Sequence, residues 1–128
     1  MDIKKNEFEK LVSEAIDNIP EPYQSKIDGI NFRVETAPTP EQRKKLGLRP
    51  CDALFGLYEG VPLPARGGAV HSIVPDIITI FTNPMTEMYT DDKSLRQQIF
   101  KTVWHEVAHY FGLNHHDIHK IESKIIPN

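Results

Sequence analysis

Between positions 105 and 115 the chain reads His105-Glu106-Val107-Ala108-His109-Tyr110-Phe111-Gly112-Leu113-Asn114-His115. His105 and His109 are four apart, so on a helix their rings project from one face, one turn apart. That is the spacing that brings two imidazole nitrogens to ~2 Å from one zinc ion. Glu106 points about 100° round the helix from His105. From there its carboxylate reaches the side of the site, as a proton acceptor rather than a ligand. Two histidines with a non-ligating glutamate leave a coordination position open, the arrangement of a catalytic rather than a structural zinc.

A third ligand is required, and the backbone decides where it comes from. A straight helix would carry His115 roughly 9 Å along the axis beyond His109, out of range. The chain must therefore turn, and Gly112 permits it, because glycine takes the left-handed conformation that ends helices. With that turn His115 comes back over the site, and the expected ligands are His105, His109 and His115. His116, Asp117 and His119 lie within reach of the same turning chain and stay open as replacements or supports. Asp117 also suits the N-cap of a following helix, or a partner that holds a ligand imidazole.

These residues need elements to position them. Leu95, Ile99, Val103, Val107 and Phe111 recur every four residues, which predicts a helix from about Thr90 to Gly112 with its own apolar stripe. Thr90, Asp91, Asp92 and Ser94 offer N-caps, and Ser94 with Gln97 forms a potential capping box. Trp104 belongs to the core. Ile118, Ile121 and Ile125 give a short last helix. Earlier, Phe8, Leu11, Val12, Ala15, Ile16 and Ile19 form one apolar stripe, stopped by Pro20 and Pro22. Ile30, Phe32 and Val34 alternate with polar residues as a half-buried strand does. Thr39-Pro40-Glu41-Gln42 is a capping box with proline at the first helical position, so a short helix runs to Leu46 and ends at Gly47. Ala53 to Tyr58 and Ile77 to Thr82 read as strands, the second bounded by Asp76 and Asn83-Pro84, and Ala69 to Val74 as a shorter one. The order predicts an α+β fold: a small, mainly antiparallel or mixed sheet, an N-terminal helix, the metal-binding helix and a short last helix.

Length and charge narrow the rest. At 128 residues, the chain is one domain spanning 1–128. A net charge of -3 argues against a nucleic-acid partner, which demands a cationic surface. The basic run Arg43, Lys44 and Lys45 reads as a solvated helix face. No stretch approaches the ~20 apolar residues that span a bilayer, and the first residues do not form a secretory signal. Cys51, the single cysteine, excludes an intrachain disulfide and reads as a plain structural thiol. A cytoplasmic monomer without membrane contact is expected.

His105 to His115 matches the extended zincin signature His-Glu-x-x-His-x-x-Gly-x-x-His found in metzincins. As a whole, the chain resembles a small bacterial family of single-domain zincin-like metallopeptidases. Phe55-Gly56-Leu57-Tyr58-Glu59-Gly60-Val61-Pro62-Leu63, Pro75-Asp76-Ile77-Ile78-Thr79-Ile80-Phe81 and the zinc helix carry that resemblance. Two departures stand out. A metzincin has a methionine turn after the third ligand, whereas Met1, Met85 and Met88 all precede the motif. The small family often has aspartate where this chain has His115, which leaves the site one negative charge weaker.

The resemblance implies a zincin-like fold holding Zn2+ and hydrolysis of a bond in a peptide or protein substrate, with Glu106 as catalytic base for a zinc-activated water. An extended substrate would add to a sheet edge, either Ala69–Val74 or the strand ending at Tyr58. A group must also meet the developing oxyanion, with Tyr58, Tyr89, Tyr110 and His71 as candidates. The alternative is a zinc-binding interaction module of the same fold that cuts nothing or only a very restricted substrate, because so short a chain has no second domain to wall a deep cleft.

Overall fold

Phe8, Leu11, Val12 and Ala15 line the buried face of helix α1 (Lys5–Asp17). They pack in one cluster with Leu95, Ile99 and Val103 of helix α4 (Asp92–Phe111) and with Ile78 and Ile80 of strand β3 (Ile77–Phe81). The computed structural model describes residues 3–67 and 74–125. Among these, the remaining elements are β1 (Asn31–Glu35), α2 (Pro40–Lys45), β2 (Gly56–Glu59), α3 (Thr82–Met88), α5 (His115–Ile125) and two 3-10 turns, Gln24–Lys26 and Leu63–Arg66.

The sheet is small and mixed, with strand order β1-β3-β2. β1 runs parallel to β3, with Phe32 opposite Ile78 and Val34 opposite Ile80. β2 runs antiparallel to β3, with Tyr58 opposite Ile78 and Gly56 opposite Ile80. Of the two sheet patterns expected, the mixed one is formed: β3 enters the middle between strands that precede it in the chain. Phe32 and Val34 turn inward while Asn31, Arg33 and Glu35 are exposed, the alternation a one-faced sheet requires. α4 packs on β2 and β3, α1 packs on α4, and among the described residues β2 is an edge strand.

Several local readings hold in detail. Both halves of the Thr39–Gln42 capping box form, at 3.1 and 2.9 Å. The stripe of α4 is buried at Leu95, Ile99, Val103 and Val107, and Phe111 is half-buried. Others differ. Of the N-caps expected for α4, Asp91 is the one formed, its carboxylate accepting the Ser94 amide at 2.9 Å, and the Ser94–Gln97 box is not the cap. The strand before Gly60 starts at Gly56 rather than Ala53. The strand bounded by Asn83-Pro84 forms as Ile77–Phe81, but Thr82 and Asn83-Pro84 lie in the first turn of α3, an unexpected helix. A proline there forfeits no helical hydrogen bond, and the buried Met85 anchors that helix to the core. Asp117 is not the cap of α5: Asn114 is, accepting the Asp117 amide at 2.9 Å. The expected strand Ala69–Val74 lies outside the described residues except for Val74. No helix among the described residues is long and apolar enough to cross a membrane.

Candidate metal centre

α4 brings His105, Glu106 and His109 together. Each offers one ligand atom, and these atoms all lie within 4.8 Å of one another. The two imidazole rings stand 4.4 Å apart, centroid to centroid. Both histidines are part-exposed, whereas Glu106 is buried at 7% exposure. Its Oε1 stands 3.5 Å from His109 Nδ1 and accepts the backbone amide of Tyr58, in β2, at 2.9 Å. The Glu106 contact raises the His109 pKa above the ordinary imidazole range, while burial lowers that of His105. Two imidazoles one helical turn apart are donors of the kind zinc takes, so the histidines fit that metal, with the Glu106 carboxylate beside them.

The approach of α4 to the sheet edge depends on Gly56. A methyl group there would stand 2.7 Å from Thr102 Cγ2 and 3.2 Å from Glu106 Cγ. Without a side chain at 56, the helix lies close enough for Glu106 to reach the strand. The ladder explains which amide it finds. The Phe81 amide donates to the Phe55 carbonyl, and antiparallel pairing alternates. Gly56 and Tyr58 therefore turn their amides and carbonyls toward the open edge, where Glu106 takes one of them.

At the other end of the motif, Gly112 adopts φ 73° and closes α4. Leu113 donates to the Ala108 carbonyl at 3.0 Å, completing the left-handed stop. A methyl group on Gly112 would also meet Pro64 at 2.6 Å. Beyond the turn His115 is the first residue of α5 and is exposed. Its ring lies 6.1 Å from that of His105, alongside the three-residue group rather than inside it. His119 follows one turn later, 6.5 Å from His115. His116 is exposed and Asp117 half-buried.

The tyrosines have other partners. The Tyr58 hydroxyl donates to Asp76 at 2.7 Å and that of Tyr89 to Gln98 at 2.8 Å. Tyr110 is buried edge-on against Tyr58. His71 lies outside the described residues. Trp104 is fully buried, and its indole donates to the Ile118 carbonyl at 3.2 Å, tying α4 to α5.

Two features were missed by spacing arguments. The first is the Tyr58 amide, a main-chain group that no side-chain motif announces. The second is an open cavity of about 310 Å³ beside the site, between Leu54 and Gly56 on one side and Lys101, His105 and Glu106 on the other, with Glu122 of α5 at its wall. Lys101, four residues before His105 and so on the same face, was the available signal.

Comparison with known proteins gives these features a class. A sequence model of the zincin-like metallopeptidase family matches residues 27–125, and the chain belongs to that family. In fold it is similar to a conserved hypothetical protein from T. thermophilus, at 17% identity and a TM-score of 0.57, over 85% of this chain and 94% of that one. No curated protein matches the chain. The family implies zinc. Together with the His105–Glu106–His109 group, it supports a metal-dependent, peptidase-like function.

Proposed function

We propose that the protein is a zinc-dependent peptidase that hydrolyses a bond in a peptide or protein segment lying along the open edge of β2. One observation carries the reading: Glu106 is buried beside two histidines at that edge, and its carboxylate faces both His109 and the strand. Metal binding by the two histidines alone has no need of a buried carboxylate beside them.

His105 and His109 would hold the metal from one face of α4, with His115 as third ligand from the start of α5. Zinc, when bound, supplies a Lewis acid that acidifies water and polarises a carbonyl. Glu106 then accepts a proton at its carboxylate and returns it to the leaving amine, the ordinary work of a positioned general base. The Gly56 amide and the Gly56 and Tyr58 carbonyls are directed at the edge, free of the β3 ladder, and suit an extended backbone laid beside them. The adjoining cavity takes one side chain of that segment.

The test is a quenched-peptide library assayed with the zinc-loaded protein and with Glu106→Gln. Cleavage that requires zinc and falls at least ~10²-fold in the variant is the expected result for loss of a general base. Stoichiometric zinc in both proteins with no cleavage by either would replace this reading with a metal-bearing interaction module.

A further inference from the structure

Behind the metal centre, β2 rests on a buried ionic cluster with no part in binding metal. The Arg66 guanidinium donates to both carboxylate oxygens of Asp76 at 2.7 Å, and its Nε donates to the Val61 carbonyl at 2.8 Å. The side chains are 4% and 11% exposed. The Tyr58 hydroxyl donates to the same Asp76 carboxylate at 2.7 Å. The register explains the reach. Tyr58 faces Ile78, so Asp76 is two residues away on the same side of the sheet, within range of an aromatic ring. Arg66 also lies over the ring of Tyr110, 5.5 Å from its centroid, and Tyr58 meets that ring edge-on at 5.9 Å. Tyr110 follows His109 directly in α4.

A buried ion pair of this sort is a poor device for stability, because desolvation offsets most of the attraction, and apolar residues often serve as well. What it supplies is fixed geometry. Its contacts converge on one residue of β2, and that residue has two ends. The Tyr58 side chain sits in the cluster, while its amide is on Glu106 at 2.9 Å. The edge amide that an added strand would otherwise use is thus committed to the carboxylate.

We propose that Arg66 and Asp76, acting through Tyr58, are positioning residues for Glu106: they pin the outer strand so that the Tyr58 amide holds the carboxylate beside the metal ligands. This rests on the reading of Glu106 as general base, but the geometry it asserts exists whether or not peptides are cut. The cluster meets Glu106 itself through the Tyr58 amide, and touches the helix that carries it through Tyr110; removing the Tyr58 hydroxyl breaks the first link and keeps the second. Loosening it frees one hydrogen bond at the site and leaves the β3 ladder bonds of Leu57 and Glu59 in place.

The experiment is residue-resolved amide exchange on the zinc-loaded full chain, wild type against Tyr58→Phe, which removes the hydroxyl and keeps the ring against Tyr110. Protection of the residue-58 amide should fall about tenfold while Leu57 and Glu59 keep theirs. Arg66→Lys keeps the charge but not the guanidinium that joins Asp76 to the Val61 carbonyl, and should show the same local loss, more weakly. It carries the comparison if Tyr58→Phe does not fold. Zinc affinity should be unchanged in both. If the protein cleaves peptides, kcat should fall about tenfold with KM unchanged, since the lost contact orients the base rather than the substrate. Wild-type protection at residue 58, or a loss spread evenly over residues 57–59, overturns the proposal. A wild-type protein that cuts no peptide but shows the local loss overturns the peptidase reading alone.

Discussion

His115 is where the sequence motif and the three-dimensional group part company. His105, Glu106 and His109 converge because helix geometry leaves them no alternative. His115 is brought near by a turn and the start of another helix, and its ring stops 6.1 Å from that of His105. Exposed and at the first position of α5, it has room to rotate toward the site, while His119 is one turn further along. Replacing His115 by alanine should weaken zinc binding by about 10²-fold or more, beyond the loss typical of a mere supporting residue. His119→Ala should leave it within about threefold. Competition against a chromophoric chelator measures both. Equal losses would give the third position to neither residue alone.

At the scale of elements, two glycines set the distances on which the site depends, and they do so differently. Gly112 must be glycine for its left-handed backbone and again for its contact with Pro64. Gly112→Ala should lower stability by about 2 kcal/mol, from the αL cost together with the crowding, and denaturant titration would register it. Gly56 has no such backbone demand. Alanine there pushes α4 off β2 and should cost activity more than stability, so a stable Gly56→Ala with intact Glu106 function would contradict this account of the helix–strand approach.

Only the first of these was legible in the sequence. Gly112 falls at a fixed offset within a known pattern, and the stripe of α4 and the capping box of α2 follow from local periodicity. Gly56 acts through Thr102, whose closeness is a tertiary fact. The same limit hid α3, where Asn83-Pro84 has the composition of a loop and becomes helical because Met85 finds the core. It also hid the parallel pairing of β1 with β3, since a strand's own pattern does not say which neighbour it takes.

For the whole molecule, the consequence is economy of scaffold. One helix supplies the two histidines and the carboxylate of the candidate metal centre, and it also packs on α1, on the sheet and against α5. A metal held on α4 would therefore couple to global stability. Saturating zinc at about 1,000 times its dissociation constant adds about 4 kcal/mol by linkage. Calorimetry with and without chelator should show a lower melting temperature for the stripped protein. An unchanged one would mean that zinc is not bound tightly by the native fold.

Trp104, finally, gives that same region a voice. It is the chain's single tryptophan, wholly shielded from solvent, adjacent in sequence to His105, hydrogen-bonded to α5 and edge-on to Tyr23 at 5.2 Å. Its emission is therefore an internal optical gauge. A shift to the red marks the moment α5 lifts away from α4, and a change in intensity without such a shift marks an event at the neighbouring imidazole. Occupancy of the centre and docking of the last helix can be followed separately in the untouched protein, with no dye and no label.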